Sequence, residues 1–393
     1  MNKEKYNLIC FGLMPWSNMW KRTQSVFYHM SSFEIFERSL YVNPEKYPNY
    51  SSFYLKKLQP KEYGYVNIVN SEKIFEYTPV HFVPLSSRSE IFKSIESYFY
   101  GRLFRDFNGD LPYVLYLNCP NTHLTSLIEQ LIQNSTLTIF DYSDDFLEYK
   151  LNKSGLAIYR RNIEKFTEKA DIITYVNDHV ANKYQFPDKK NLVLRNSTNY
   201  DNFNRNAYST IDEIEKIKEK YKYIIGYSGW VNESRVDYDL IDYLSENRRD
   251  CAFLFVGPYD KTFVDKFKKV ENIFIFEPVS YDVLPNYINY FDVSIVPFLV
   301  NEHTNGNDLL KYHDYMSMGK TIVSTNIKTA EEIKNLIYVA DSHETFLAYL
   351  ESILQEKLYK NVDVLKSFAK ENSWENRSKL LLYEIESSLK MMR

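Results

Sequence analysis

Short apolar runs alternate with helix-patterned segments along most of this 393-residue chain. The alternation lapses near the middle, in a charged stretch, and then restarts. Runs at 6–13 (YNLICFGL), 39–42, 113–119 (YVLYLNC), 137–142, 171–176 (DIITYV) and 191–194 are too short for helices. The first predicts a buried parallel strand, and the others predict further strands. Segments 23–36, 90–107, 124–133 and 159–169 between them carry helical spacing. Residues 45–85 are Tyr-rich and irregular and predict no element order. The charged, helix-prone stretch 211–222 (IDEIEKIKEKYK) reads as the linker. Beyond it come strands at 223–227, 252–256, 273–276, 293–296 and 321–324, with helices at 239–246, 309–318, 344–354 and 374–391. Strand–helix alternation implies parallel strands joined by right-handed crossovers. The expected fold class is therefore α/β, with two Rossmann-like doubly wound domains facing across a cleft. Ligands of such sheets sit outside the strand carboxyl ends, so both halves are expected to contribute to one site.

Composition enters at two points. The chain has only 10 Gly, where average usage would give roughly 27. Each is expected where a side chain is not tolerated. A content of 44% hydrophobic and 17% aromatic residues excludes disorder. A net charge of -4 argues against a dedicated nucleic-acid binder. Cys10, Cys119 and Cys251 lie far apart in apolar runs and read as buried thiols of a reducing compartment. No Cys-x-x-Cys or close His pair supports zinc, so no metal is expected. No stretch approaches 18 uninterrupted apolar residues, and the start of the chain is polar. The expected location is cytoplasmic or peripheral to a membrane.

Gly226-Tyr227-Ser228-Gly229 closes the first strand of the second half. Glycine at a strand-to-helix turn lets an anion approach backbone amides, although a plain tight turn fits equally well. The Gly-x-Gly-x-x-Gly fingerprint is missed, which weakens a nicotinamide or flavin reading. Gly319-Lys320-Thr321 looks like a P-loop tail, but Asp314 stands where that loop needs Gly. Gly319 reads instead as a helix C-cap. Lys311 and Asp314 are three apart and share a helix face. Taken alone they form either a surface ion pair or a cation and an acid suited to a nucleoside diphosphate.

The order of parts weighs on that choice. Blocks GYSGWVNESRVDYDLI (226–241), FLFVGP (253–258), NIFIFEPVSYDVLPNYI (272–288), FDVSIVPF (291–298) and KYHDYMSMGKTIVST (311–325) follow one another over about a hundred residues. Together they resemble the donor half of GT-B glycosyltransferases, nearest the large retaining family four in its polysaccharide and cell-envelope branch. The first half resembles it more loosely, through 20–24, FDYSDDF (140–146), Ala170-Asp171 and RNSTNYDNF (195–203). The resemblance implies an acceptor domain at 1–203 and a nucleotide-sugar domain at 204–373, with helix 374–393 packing back on the first. It implies that Gly229 and the nearby helix N-terminus face the pyrophosphate, that Trp230 lies at the donor, and that Arg235 and Lys311 neutralise the departing diphosphate. Asp314 would bind ribose hydroxyls, and Glu277, Pro278 and Val279 would read the base. Two departures stand out: Asp314 replaces a usual Glu, and Gly306 replaces an acid eight residues earlier. Asn305, Asn307 and Asp308, followed by Leu309, are expected to take over that acid's hydrogen bonds at the donor; an Asn-Gly-Asn turn is the competing reading.

In the first half Asp141, Asp144 and Asp145 follow a strand expected to point into the cleft. They would orient or deprotonate an acceptor hydroxyl, or simply cap the next turn. His123 is expected at the same edge, either as a catalytic group or as an incidental one. Trp16, Trp20, Lys21 and Arg22 form an aromatic and basic loop suited to an acceptor sugar or phosphate, with core packing of the Trp residues as the competing reading. Residues 91–107 mix aromatic and basic side chains that suit either an anionic membrane surface or an ordinary solvated face. The expected activity is transfer of a sugar from a nucleoside-diphosphate sugar, as co-substrate and without further cofactor, to a hydroxyl of a glycan or lipid-linked acceptor. A sugar-nucleotide epimerase and an inactive GT-B scaffold subunit are the alternatives.

Overall fold

The computed structural model describes residues 4–16, 20–46, 66–67, 71–80, 90–149, 151–305 and 308–392. Gly306 and Asn307, singled out above at the donor, lie outside them, as does Gly64. The chain forms two compact units, one of residues 1–195 with 377–393 and one of residues 196–376.

The first unit is built on an eight-stranded sheet: β1 (Tyr6–Phe11), β2 (Phe36–Val42), β3 (Val66–Asn67), β4 (Ile74–Tyr77), β5 (Tyr113–Leu117), β6 (Leu137–Tyr142), β7 (Ile172–Tyr175) and β8 (Lys190–Val193). Their spatial order is β3-β4-β2-β1-β5-β6-β7-β8, parallel except for the edge pair β3–β4. Every residue of β1, β5, β6 and β7 is closed off from solvent, whereas β8 at the sheet edge is exposed or half-buried along its length. Tyr142 stacks on Tyr175 at 5.7 Å and on Tyr184 at 5.1 Å, a use for some of the tyrosines that propensity alone does not suggest. Helices Arg22–Ser31, Glu90–Asn108, Thr125–Asn134 and Lys153–Lys169 supply the crossovers. The first is shorter than expected, because a turn at 32–35 intervenes and β2 begins at Phe36.

The second unit holds β9 (Tyr223–Ser228), β10 (Cys251–Val256), β11 (Ile273–Phe276), β12 (Val293–Val296), β13 (Ile322–Thr325) and β14 (Tyr338–Ala340). All run parallel in the order β11-β10-β9-β12-β13-β14. That is the doubly wound order, with strand succession reversing between β9 and β12. The stretch read as a linker is corrected by the structure. Helix Asp212–Lys220 buries Ile214 and Ile217 in the core of this unit, while its acids and lysines face water. Two isoleucines at i,i+3 are enough to dock a helix that is otherwise charged.

Candidate functional site

In a doubly wound sheet the crevice opens where strand order reverses, which in the second unit is past the ends of β9 and β12. β9 ends at Ser228, whose backbone N–H donates to the Tyr315 hydroxyl at 2.7 Å, and whose own hydroxyl lies 3.0 Å from the same oxygen. Gly229 follows with φ +126°, a conformation that side-chain-bearing residues rarely adopt. A Cβ there would come within 3.1 Å of the Lys311 ammonium. Gly257, after β10, has φ +138°, and a Cβ on it would lie 2.6 Å from the Gly229 carbonyl oxygen. The two turns therefore touch backbone to backbone. Val231 continues the contact, donating to Pro258 O at 2.7 Å and accepting from Asp260 N at 3.0 Å. On the other side the loop pairs with the segment after β12, through Asp237 N to Pro297 O (2.8 Å) and Leu299 N to Arg235 O (2.8 Å). Every strand end bordering the crevice is thus tied to its neighbour by backbone hydrogen bonds.

Lys311, in helix Leu310–Ser317, reaches into this frame. Its ammonium donates to the Tyr227 hydroxyl at 2.7 Å and lies 3.9 Å from the Tyr227 ring centre and 4.6 Å from that of Phe298. No carboxylate of the described residues comes within 4.0 Å of it. Burial pushes its pKa well below the usual lysine range, the Arg235 cation pushes the same way, and Asp314 pulls weakly back. Arg235 also lies 5.9 Å over the Trp230 ring. Two cations beside a glycine turn, one of them poorly hydrated, make a cradle for an anion of high charge.

Asp314 is engaged by hydroxyls of its own unit. It is only 4% exposed, and its Oδ1 accepts the hydroxyl protons of Thr198 and Tyr281, each at 2.8 Å. Burial raises its carboxyl to about 7, against the pull of those two hydrogen bonds and of Lys311. Asp308 is also engaged: its Oδ2 accepts the Asn196 N–H at 2.6 Å and its carbonyl accepts the Asn196 side chain at 2.7 Å. Leu309 is buried at the start of the helix. Trp230 is 55% exposed, its carbonyl fixed by the Tyr227 hydroxyl at 3.0 Å. Glu277 and Pro278 are exposed directly after β11, with Glu277 accepting the Tyr259 hydroxyl, and Val279 packs on the core. The structure thus gathers Gly229, Trp230, Arg235 and Lys311 around one crevice. Thr198, Tyr227 and Tyr281 were missed from the sequence; only Tyr227, inside the glycine block, carried a local signal.

The acids expected at the acceptor are occupied within the first unit. Asp141 is fully buried. It takes a bidentate contact from Arg22 (Nε to Oδ2 3.0 Å, Nη2 to Oδ1 2.8 Å) and the Thr174 hydroxyl at 2.7 Å. Arg22, the first residue of its helix, is itself 4% exposed, so this cation serves the core. Asp145 accepts from Lys183 and from the Tyr184 hydroxyl, each at 2.7 Å. Asp144 accepts its neighbour's N–H and the Tyr149 hydroxyl, each at 2.8 Å. His123 is half-buried, its backbone N–H held by Glu45 Oε1 at 2.6 Å. Trp16 packs on Trp20 at 5.0 Å and on Tyr41 at 5.2 Å, and Trp20 packs on Tyr28 at 4.8 Å. Trp16 and Trp20 thus sit in an aromatic cluster, both half-buried.

The two parallel sheets and their strand orders are those of the GT-B fold, as the sequence resemblance implied. Residues 222–356 match the family described as Glycosyl transferases group 1. The sequence is 24% identical over 257 residues to a candidate teichuronic acid biosynthesis glycosyltransferase, TuaH, of Bacillus subtilis (strain 168). That match spans 60% of this chain and 63% of the relative. Among solved structures, the sucrose-phosphate synthase of Thermosynechococcus elongatus superposes with a TM-score of 0.67 at 11% identity, covering 99% of this chain and 100% of that one. Anabaena HepE, in complex with UDP and glucose, gives a TM-score of 0.63 at 11% identity, covering 97% and 100%. At these identities the superpositions speak for the fold. Among the described residues no helix is long and apolar enough to cross a membrane.

Proposed function

We propose that this chain transfers a glycosyl group from a nucleoside-diphosphate sugar to a hydroxyl of a glycan or lipid-linked acceptor, in the making of a surface polysaccharide or glycoconjugate. The observation that carries the reading is the Lys311 ammonium. It is half-buried against two aromatic rings at the reversal of the second sheet, beside Arg235 and a glycine turn, with no carboxylate of the described residues within 4.0 Å. Cleavage of the anomeric C–O bond leaves its electron pair on the departing diphosphate. Fixed cations and backbone amides that meet this growing charge lower the barrier without reorganising. The family model over 222–356 and the polysaccharide context of the Bacillus relative support the same activity. On this reading Trp230 and Arg235 flank the donor, and Glu277 to Val279 lie toward the base. Retention of configuration and independence of metal ions belong to the proposal. Tyr98 and Phe99, 64% and 54% exposed on one helix with Arg102, suit contact with an anionic membrane bearing the acceptor.

The test is donor binding and hydrolysis across UDP-, GDP-, dTDP- and CMP-sugars, with and without EDTA, for the wild type and Lys311→Met. The expected result is turnover of one of the three nucleoside-diphosphate donors and not of the CMP-sugar, insensitive to EDTA, and a loss of at least about 100-fold in the variant, the size seen when one preorganised donor is removed. Equal turnover by the variant would reject the site, and acceptor-independent isomerisation of the donor would reject transfer.

A further inference from the structure

Asp314 carries a role that its place in the site does not announce. Its helix starts just after Asp308, and both acids are bound to one segment of chain, 196–203, with which the polypeptide enters the second unit. Asn196 ties to Asp308 through its N–H at 2.6 Å and its side chain at 2.7 Å. Thr198 ties to Asp314 at 2.8 Å. The segment then continues to Tyr281, the other hydroxyl on Asp314. Asn202 donates to the Tyr281 carbonyl at 3.0 Å, and Phe203 packs on its ring at 5.0 Å. Thr198 also bridges to Ser373 and accepts the Trp374 N–H at 3.1 Å, which joins the entering segment to the one about to leave the unit at Asn376. Asp314 and Lys311 lie on one face of one short helix, so whatever holds the carboxylate fixes where the ammonium stands.

We propose that Asp314 is a positioning residue: through the Thr198 and Tyr281 hydroxyls it locks the Lys311 helix onto the entering segment, and it does not itself touch the donor. This rests on Lys311 meeting the donor phosphates. A carboxylate buried to 4% exposure, with both hydroxyl contacts on one oxygen and no lysine or arginine of the described residues within 4.0 Å, is shaped by its acceptor geometry and not by its charge. An amide oxygen can accept the same two protons. Asn should therefore replace Asp here, whereas Ala should not. A ribose ligand would behave otherwise, since an amide loses half of the acceptor capacity that two ribose hydroxyls use.

The experiment measures, by calorimetry, the affinity of whichever of UDP, GDP, ADP and CDP binds the wild type best, and of its 2′-deoxy counterpart. It is run on the full chain with Asp314→Ala, Asp314→Asn, Thr198→Val and Tyr281→Phe. Asp314→Ala and Thr198→Val should weaken both ligands alike, by about tenfold for a lost buried hydrogen bond. The ratio between ribo- and deoxyribonucleotide should stay at the wild-type value. Asp314→Asn should bind as the wild type does, and Thr198→Val combined with Asp314→Ala should be no worse than Asp314→Ala. Hydrogen exchange should rise over residues 310–317 in Thr198→Val. That variant keeps side-chain volume and guards against a misfolded Asp314→Ala. A ribo/deoxy ratio falling to one in both Asp314 variants, with Thr198→Val unchanged, would overturn the positioning role and make Asp314 a ribose ligand. Failure of the wild type to bind any of these diphosphates would overturn the reading of the site itself.

Discussion

Lys311 is held at a cost that the protein bears until an anion arrives. A lysine whose folded pKa is depressed destabilises the fold wherever the unfolded chain would carry the proton, which includes neutral pH. Lys311→Met should therefore raise Tm in thermal unfolding by roughly 2–4 °C, the shift produced by about 1 kcal/mol in a domain of this size. It should also abolish the stabilisation that the donor nucleotide gives the wild type. Asp314 has the opposite sign. Its carboxyl is raised to about 7, so the folded state holds a proton that the unfolded chain releases near 3.9. That contribution is complete below the unfolded value and is lost as pH rises to about 7. Melting temperatures of the wild type against Asp314→Asn, taken from pH 4 to 8, should show the wild type losing ground across that interval and running parallel above it. The shared helix face of Lys311 and Asp314 was legible from their spacing. Their partners were not: Tyr227 lies 84 residues from Lys311, and Thr198 lies 116 residues from Asp314.

Among elements, the strands were the most legible, because a strand of a parallel sheet is apolar on both faces and needs no partner to be recognised. Strand β14, three residues long at the sheet edge with only Ala340 buried, left no such mark. Helix Val362–Glu371 was also missed, although Leu365 and Ala369 are buried and Phe368 packs on the core at helical spacing. Arg22 and Asp141 show the limit for polar groups. A basic loop and an acidic strand end, 119 residues apart, each looked like a binding surface until the fold brought them together. Asp141→Ala would leave the Arg22 guanidinium buried without its counter-charge. It should cost about 3–5 kcal/mol of stability in urea titration, the range for breaking a buried pair from one side.

At the scale of the molecule, each unit has its own core: one cluster runs from Phe203 to Ala369 and another from Ile9 to Val180. Cores that are not shared can melt separately. Ile214→Ala, in the helix that resembled a linker, should lower one calorimetric transition by about 2–5 kcal/mol and leave the other in place. Asp141→Ala should do the reverse. Movement of both transitions by either substitution would show that the two units unfold as one.

The contact between Gly229 and Gly257 has a practical consequence for anyone re-engineering this chain. A Cβ at either position meets backbone or the Lys311 ammonium, and both dihedrals are unfavourable for any other residue. The turns after β9 and β10 are therefore not separable modules. A graft that imports one loop from a relative of different donor preference brings in a surface shaped for another neighbour, so the two should be exchanged together.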